Sequence, residues 1–169
     1  MNNVITSEAI QPILKQPITE ISLAEQNEII YYALKCLETR FQYSSNPLQS
    51  PYEVREYLRL QLAPEPNEVF AVMFLDNQNR VLAFEKLFYG TINAVTVHAR
   101  VVVQRALAHQ AAAVIFAHNH SSGHTEPSQG DRHVTEELKT ILKLIDVRVL
   151  DHFIVSVQGI FSFAEQGWL

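Results

Sequence analysis

The chain has 169 residues, 47% of them hydrophobic and 18% charged, with a formal net charge of −5. This composition excludes a disordered chain and is typical of one domain, alone or with an appendage. No cluster of Lys and Arg is present to neutralise phosphates, which argues against direct nucleic-acid binding. The single cysteine excludes an intrachain disulfide. Since no apolar run is long enough to span a membrane and the N-terminus does not resemble a secretion signal, we expect a cytoplasmic protein without membrane contact.

Residues 1–46 are predicted to form an N-terminal arm and one helix. Residues 1–20 contain two prolines and show no clear periodicity, which indicates an extended or flexible arm. Ser22 and Glu25 have the spacing of a capping box, in which the two side chains bond free backbone N–H groups at a helix start. Apolar residues follow at helical spacing: Ile30, Ala33, Leu34, Leu37 and Phe41. This apolar face packs on the core or, alternatively, forms a homodimer contact.

Residues 47–169 are predicted to form the main domain. A helix begins at Pro51, a favoured first position for proline, and ends near Leu62 because prolines follow. Apolar and β-branched runs then predict strands, and apolar residues at three-to-four spacing predict helices. The predicted strands span 68–76, 80–88, 96–97, 112–117, 147–150, 151–157 and 160–164, and the predicted helices span 99–109 and about 129–144. This order indicates an α/β fold with three layers around a mixed sheet.

The stretch AHNHSSGHTEPSQGD, residues 117–131, places coordinating side chains where the predicted buried strand ends. His118 and His120 are two residues apart, so at a strand end both imidazoles point to the same side. Asp131 falls in the first turn of the next helix, from which its carboxylate can return to that point. Two imidazole nitrogens, one carboxylate oxygen and a fourth position left for water describe a catalytic zinc site. The same donors also suit iron or manganese.

Two further residues are candidates for the chemistry. Zinc lowers the pKa of a coordinated water toward ~7, and a nearby carboxylate can carry the proton. Glu85, in the middle of the apolar segment VLAFEKLF, is the candidate base. Ser128 is the candidate hydrogen-bond donor to the oxyanion that forms when water attacks a carbonyl.

Each candidate also has a purely structural interpretation. The histidine pair is compatible with a surface turn. Ser128 and Asp131 fit a helix cap, because the helix dipole favours a carboxylate in the first turn. Glu85 fits an exposed strand position paired across the hairpin. His152, beside Asp151, is compatible with a pair that supports a metal ligand. Structural or surface positions are otherwise expected for the remaining histidines: His98, His109, His124, His133 and His152.

The order His118-x-His120, seven residues, Ser128, two residues, Asp131 resembles the H-x-H-x7-S-x2-D motif of JAMM (MPN-plus) metalloproteases. More closely, the chain resembles the RadC family. The matching segments are EKLFYGTINAVTVHAR, RALAHQAAAVIFAHNHSSG, PSQGD and DHFIVSVQGIFSFAE, and the match covers roughly residues 47–169. Ser121 stands where the family usually has proline, and none of the departures touches a proposed ligand.

The resemblance implies a cytidine-deaminase-like α/β fold and a Zn²⁺ ion at the two motif histidines and the motif aspartate. It implies Glu85 as general base, because the family's glutamate falls five residues before the glycine that Gly90 matches. Ser128 takes the oxyanion-stabilising place. Relatives in the wider superfamily cleave isopeptide bonds, often of ubiquitin-like tags, so the implied substrate is a peptide or an isopeptide-linked protein.

We therefore expect a zinc-dependent hydrolase, a metallopeptidase or isopeptidase of the JAMM type. The alternative is a non-catalytic binding module in DNA repair or recombination that acts through protein partners. Longer RadC proteins carry N-terminal helices that resemble DNA-binding modules, whereas an arm and one helix precede the domain here, which weakens a direct DNA role. A deaminase-like hydrolase ranks third, because its H-x-E and P-C-x-x-C signature is absent and the only cysteine is Cys36.

Overall fold

The computed structural model describes residues 17–43, 51–91 and 95–169. After a 3-10 turn at Ile18–Glu20, the elements follow in the order α1 Leu23–Tyr43, α2 Pro51–Leu62, β1 Val69–Leu75, β2 Val81–Tyr89, α3 Ala99–Ala108, β3 Ala113–Asn119, α4 Gln129–Lys143, β4 Arg148–Ser156 and β5 Gly159–Ser162. The strands form one five-stranded sheet in the order β2-β1-β3-β4-β5. Strands β3 and β4 are parallel and the other neighbouring pairs are antiparallel, so the sheet is mixed.

Helices cover both faces of the sheet, which gives the three layers that the sequence predicts. On one face, α2 packs Val54, Leu58 and Leu62 against alternate residues of β1 and β3, and Leu34 and Leu37 of α1 pack against the same cluster. The predicted apolar face of α1 is therefore core packing at these two positions. On the other face, α3 and α4 pack against the intervening residues of the same strands: Phe70, Val72, Phe74, Val114 and Phe116. Each central strand thus serves two cores, as near-continuous apolar runs do.

The predicted helix starts are confirmed. The Ser22 N–H donates to Glu25 Oε2 over 2.9 Å, and the Glu25 N–H donates to Ser22 Oγ over 3.4 Å, which is the reciprocal pattern of a capping box. Helix α4 begins with the same arrangement between Ser128 and Asp131. No helix within the described ranges combines the length and apolar character that a membrane span requires.

Three sequence predictions about local structure need correction. The short strand predicted at 96–97 is wrong, because residues 95–98 form no regular structure. The two strands predicted at 147–150 and 151–157 are one strand, β4, whose register against β3 shifts between Val149 and Asp151. The arm predicted to be extended or flexible ends in a regular 3-10 turn at Ile18–Glu20. Residues 1–16 of the arm and the predicted domain boundary at 46/47 lie outside the described residues, and that boundary stays a prediction.

Three chain segments meet at one end of the sheet. Strand β3 ends there, α4 begins shortly after it, and β1 starts there because β1 and β3 are antiparallel, with Phe70 opposite His118. Helix α4 supplies the crossover that the parallel pair β3–β4 requires. Ligands of open α/β sheets commonly bind outside the carboxyl ends of strands, and this end is therefore where a site is expected.

Candidate metal centre

His118 and His120 stand at the carboxyl end of β3. His118 lies within the strand and is 2% exposed, and His120 follows one residue beyond the strand end. Side chains alternate along a strand, so both imidazoles share the face on which Phe116 packs against α3 and α4. Asp131 is in the first turn of α4. Its carboxylate therefore approaches the same point from the N-terminus of the helix.

The nitrogen and oxygen atoms of these three side chains converge. The two Nε2 atoms lie 3.0 Å apart. His118 Nε2 lies 3.3 Å from Asp131 Oδ1, and His120 Nε2 lies 3.5 Å from Asp131 Oδ2. A tetrahedral ion with bonds of about 2.0–2.1 Å requires its ligand atoms to be about 3.3 Å apart. The separations therefore match a metal centre, and the three residues form a group that can hold an ion.

The hydrogen bonds on the far side of each ring show which nitrogens are free to bind metal. His120 Nδ1 lies 3.0 Å from the carbonyl oxygen of His124, which can only accept, so this Nδ1–H donates. His118 Nδ1 lies 2.8 Å from Nε2 of His152. In its neutral form His120 therefore directs an Nε2 lone pair at His118 and at the Asp131 carboxylate, and His118 does the same toward His120 and Asp131 when its own proton is on Nδ1. Such an arrangement is repulsive without a cation between the donors, and two imidazoles with one carboxylate suit zinc.

Asp131 acts as a helix cap and faces the histidines at the same time. Its Oδ2 accepts from the Ser128 N–H and from the Ser128 hydroxyl, each over 2.7 Å, and the Ser128 Oγ accepts from the Asp131 N–H. Burial alone would raise the pKa of Asp131, but the hydrogen bonds that His118 and His120 donate to its carboxylate when they are protonated outweigh burial and hold that pKa well below its usual range. The two interpretations of Asp131, cap and ligand, are thus compatible.

Ser128 is held by this same cap. Its hydroxyl carries one hydrogen, and that hydrogen is directed at the Asp131 carboxylate. The oxyanion role of Ser128 stays a prediction, and it requires the hydroxyl to exchange Asp131 for a substrate oxygen. Ser128 lies on the wall of the cleft, where a substrate oxygen could approach it.

The three candidate ligands line a cleft of about 570 Å³. One wall is the irregular segment 95–97, and the opposite wall is the start of α4. The wall residues are mostly apolar or small: Phe70, Val95, Thr96, Val97, Ser122, Ser128, Gly130 and Val134. One more carboxylate faces this cleft, that of Glu68.

Glu68 is the functional candidate that the sequence did not reveal. It is half-buried and precedes β1 directly. Burial raises the pKa of its carboxyl, and the neighbouring His120 and His118 partly offset that rise. Its backbone N–H donates to Thr91 O over 2.9 Å, and its backbone C=O accepts from the Gly90 N–H over 2.8 Å. The main chain therefore holds Glu68 firmly beside the histidines.

Asn119, the residue between the two histidines, fixes the segment that carries Glu68. It is 3% exposed. Its Oδ1 accepts from the Val69 N–H over 2.8 Å, and its amide donates to the carbonyl oxygens of Asn67 over 2.9 Å and Glu65 over 3.3 Å. The asparagine therefore bonds the chain on both sides of Glu68.

Glu85, the predicted base, does not belong to this cluster. Its register partner on β1 is Val72, and its side chain contacts α3. The carboxylate accepts from both Arg105 Nε, over 2.6 Å, and the Arg105 guanidinium Nη2, and it lies 2.8 Å from His109 Nε2. The hydrogen bond from Arg105 lowers the pKa of Glu85. Strand alternation places Glu85 on the face of the sheet that carries the histidines, but Glu85 is not among the residues that line the cleft, whereas Glu68 is. The base role of Glu85 stays a prediction that this position does not favour.

The remaining histidines divide as follows. His133 and the side chain of His124 are exposed, His98 packs edge-on against Phe88, and His109 pairs with Glu85. His152 differs because it is fully buried and contacts His118 directly. Burial holds the pKa of His152 well below its usual value, so the ring is neutral. The predicted partner Asp151 instead bonds Ser162 and backbone N–H groups.

The mixed-sheet fold and the H-x-H cluster with its helical aspartate define a domain of the JAB, or MPN, class. A model of the RadC-like JAB domain matches residues 48–168. The chain belongs to the RadC family.

Curated relatives carry the name UPF0758 protein. That of Cellvibrio japonicus is 58% identical over 122 residues, which are 72% of this chain and 54% of the relative. That of Methylibium petroleiphilum is 52% identical over 147 residues, 86% of this chain and 65% of the relative. That of Vibrio cholerae is 50% identical over 145 residues, 86% of this chain and 91% of the relative. The chain thus spans a little over half the length of some of these relatives.

Proposed function

We propose that the chain is a zinc-dependent hydrolase, a JAMM-type metallopeptidase that cleaves an amide bond of a peptide or of an isopeptide-linked protein. One observation carries the proposal. The Nε2 atoms of His118 and His120 lie 3.0 Å apart, and the Asp131 carboxylate oxygens lie 3.3 and 3.5 Å from them, so the three side chains converge on one point. Three protein ligands that open onto a cleft are the arrangement of a catalytic zinc site rather than a structural one.

His118, His120 and Asp131 would hold the zinc, whose Lewis acidity would acidify the attacking water and polarise a substrate carbonyl. Glu68 is the residue that moves the proton. Its half-buried carboxylate faces the same cleft and has a raised pKa, mainly because of burial, which brings it closer to the range of an effective acid–base catalyst. Glu68 accepts a proton from the attacking water and delivers it to the departing amine nitrogen.

The cleft supports a substrate that lies across it. Its volume of about 570 Å³ is in the range of sites that bury a small ligand, which is room for a few residues around the scissile bond. Val95, Val97 and Val134 offer apolar contacts to side chains next to that bond. The substrate class remains our proposal.

The first experiment is metal analysis of untagged protein and of the His118→Ala variant. We expect about one zinc per chain, lost in the variant. Absence of metal in both, even after zinc is added back, would overturn the proposal. It would favour the non-catalytic module that acts through protein partners in DNA transactions.

The second experiment compares two glutamate variants in a peptide and isopeptide library. Glu68→Gln keeps its zinc and loses hydrolysis by roughly 10²–10⁴-fold, the usual contribution of a general base. Glu85→Gln is the matched control and keeps both zinc and hydrolysis. Loss of zinc in the Glu68 variant would instead make Glu68 a ligand, and loss of hydrolysis in the Glu85 variant would contradict the assignment.

A further inference from the structure

A chain of buried hydrogen bonds runs behind the metal centre. His118 Nδ1 lies 2.8 Å from His152 Nε2, His152 Nδ1 lies 2.6 Å from Thr135 Oγ1, and the Thr135 hydroxyl donates to the backbone carbonyl of Asp131 over 2.5 Å. His118, His152 and Thr135 are each at most 2% exposed. These hydrogen bonds therefore link two candidate ligands, His118 on β3 and Asp131 on α4, through His152 on β4.

The direction of each of these hydrogen bonds follows from the last one, between the Thr135 hydroxyl and the Asp131 carbonyl oxygen. A backbone carbonyl can only accept, so the single hydrogen of the Thr135 hydroxyl is used on Asp131. The hydroxyl must then accept from His152, which places a proton on His152 Nδ1. An imidazole buried among apolar rings is neutral, so His152 Nε2 has a lone pair and accepts from His118 Nδ1–H. His118 is left with a free lone pair on Nε2.

We propose that His152 and Thr135 are positioning residues that preset the tautomer and orientation of His118 for metal binding. The inference rests on the metal centre proposed above and adds to it the means by which the protein prepares one ligand. Hydrogen bonds behind a ligating histidine fix its tautomer and orient its ring, and their loss commonly weakens metal binding by 10–100-fold.

The surroundings of His152 keep its ring in place. It stacks on Phe163 with centroids 4.9 Å apart and meets Phe70 and Phe116 edge-on at 5.6 and 5.8 Å. A ring flip would require these aromatic neighbours to move and would break both of its hydrogen bonds. His152 is therefore held with one nitrogen toward His118 and the other toward Thr135.

The direct test is the protonation pattern of the histidine rings in the metal-free protein, read by nitrogen-15 NMR of histidine-labelled chain at pH about 8, above the ordinary histidine pKa. We expect His118 and His152 both to carry their proton on Nδ1. A proton on His118 Nε2 would overturn the proposal. This readout needs neither zinc nor a substrate, so it remains decisive even if the proposed hydrolase activity fails.

The second test is zinc affinity by competition with a chromophoric chelator. His152→Leu removes the acceptor, and Thr135→Val removes the far anchor with little change of shape; each is expected to bind zinc 10–100-fold more weakly. His152→Gln offers an amide oxygen near the position of Nε2 and Thr135→Ser keeps the hydroxyl, so both recover part of the affinity. His109→Leu, a histidine outside the chain of bonds, is the matched control and leaves the affinity unchanged.

Thermal unfolding of the metal-free variants separates positioning from folding. If His152→Leu does not fold, Thr135→Val and Thr135→Ser carry the comparison. A folded Thr135→Val protein with wild-type zinc affinity and an unchanged His118 tautomer would overturn the proposal. If wild-type protein itself binds no zinc, the proposed function fails, and the NMR result alone then decides whether the tautomer is preset.

Discussion

Replacing Asn119 with alanine tests how the fold holds the proposed base. The side chain makes three hydrogen bonds to the main chain of the segment 65–69, one of them from the Val69 N–H. Val69 is 1% exposed, so in the variant its N–H has no water to replace the lost acceptor. The other two groups are carbonyls of half-exposed or exposed residues, which solvent can reach.

The expected cost follows from these different environments. A buried polar group left without a partner costs about 1–3 kcal/mol, and each solvated bond that is lost costs about 0.5–1 kcal/mol. The total is about 2–5 kcal/mol. For a domain of this size each kcal/mol lowers the Tm by roughly 2–4 °C, which predicts a fall of roughly 4–20 °C for Asn119→Ala.

The assays are urea denaturation, zinc content and hydrolysis. Zinc content is expected to stay near one per chain, because His118 and His120 depend on the pairing of β3 and not on the Asn119 side chain. Hydrolysis is expected to fall further than stability explains, because Glu68 loses its anchor. Asn77→Ala, at an exposed turn position, is the control. If the free energy of unfolding of Asn119→Ala is within about 0.5 kcal/mol of the wild-type value, the energetic reasoning is refuted. If the variant is destabilised but retains full hydrolysis, the link between Asn119 and Glu68 is refuted.

Three further predictions concern the ion pair, the cap and the metal. Arg105 lowers the pKa of Glu85 in the folded state, so this carboxylate stabilises the protein above its unfolded pKa and loses the effect as pH falls through the folded value. Glu85→Gln should therefore lower the urea midpoint at pH 7 and match the wild-type midpoint below pH about 3. An equal difference between the two urea midpoints at both pH values would contradict the ion-pair explanation. Ser128→Ala should cost about 1 kcal/mol of stability as a lost cap. An additional loss of roughly 10²-fold in hydrolysis at unchanged zinc content would support the oxyanion role, and its absence would leave only the cap. Free zinc at 100 times its Kd should add about 2.7 kcal/mol and raise the Tm by roughly 5–11 °C. His118→Ala should show no such rise, and a similar rise there would place the zinc elsewhere.

Features that depend on near neighbours in the sequence were predictable. The capping boxes at Ser22 and Ser128 need only a residue and its partner three positions later, and both are present. His118 and His120 share a face because strand geometry repeats every two residues, whatever the rest of the fold does. The alternation of apolar strands and helices was sufficient for the three-layer arrangement around a mixed sheet.

Features that depend on strand register were not predictable in the same way. Glu68 reaches the histidines because β1 runs antiparallel to β3 with Phe70 opposite His118, a pairing between residues far apart in the chain. A lone acidic residue in front of the apolar run VFAVMFL was the available signal, but Glu85 carried an equally visible one inside the next strand. Only the register distinguishes the residue at the end of the strand from the residue in its middle. The single strand β4 was divided for a related reason, because Asp151 interrupts the apolar run and its bonds to Ser162 and the Ala164 N–H lie far along the chain.

The end of β3 explains how a few residues organise the whole centre. Its even-numbered side chains, His118 and His120, turn toward α4, where Asp131 meets them. The odd-numbered Asn119 between them bonds the segment that leads into β1 and so holds Glu68. Alternation along one strand therefore places the candidate ligands and the anchor of the candidate base within three consecutive residues. A shift of β3 by one residue would exchange these faces and remove both functions together, which is why a buried strand paired on both sides is a suitable support for this centre.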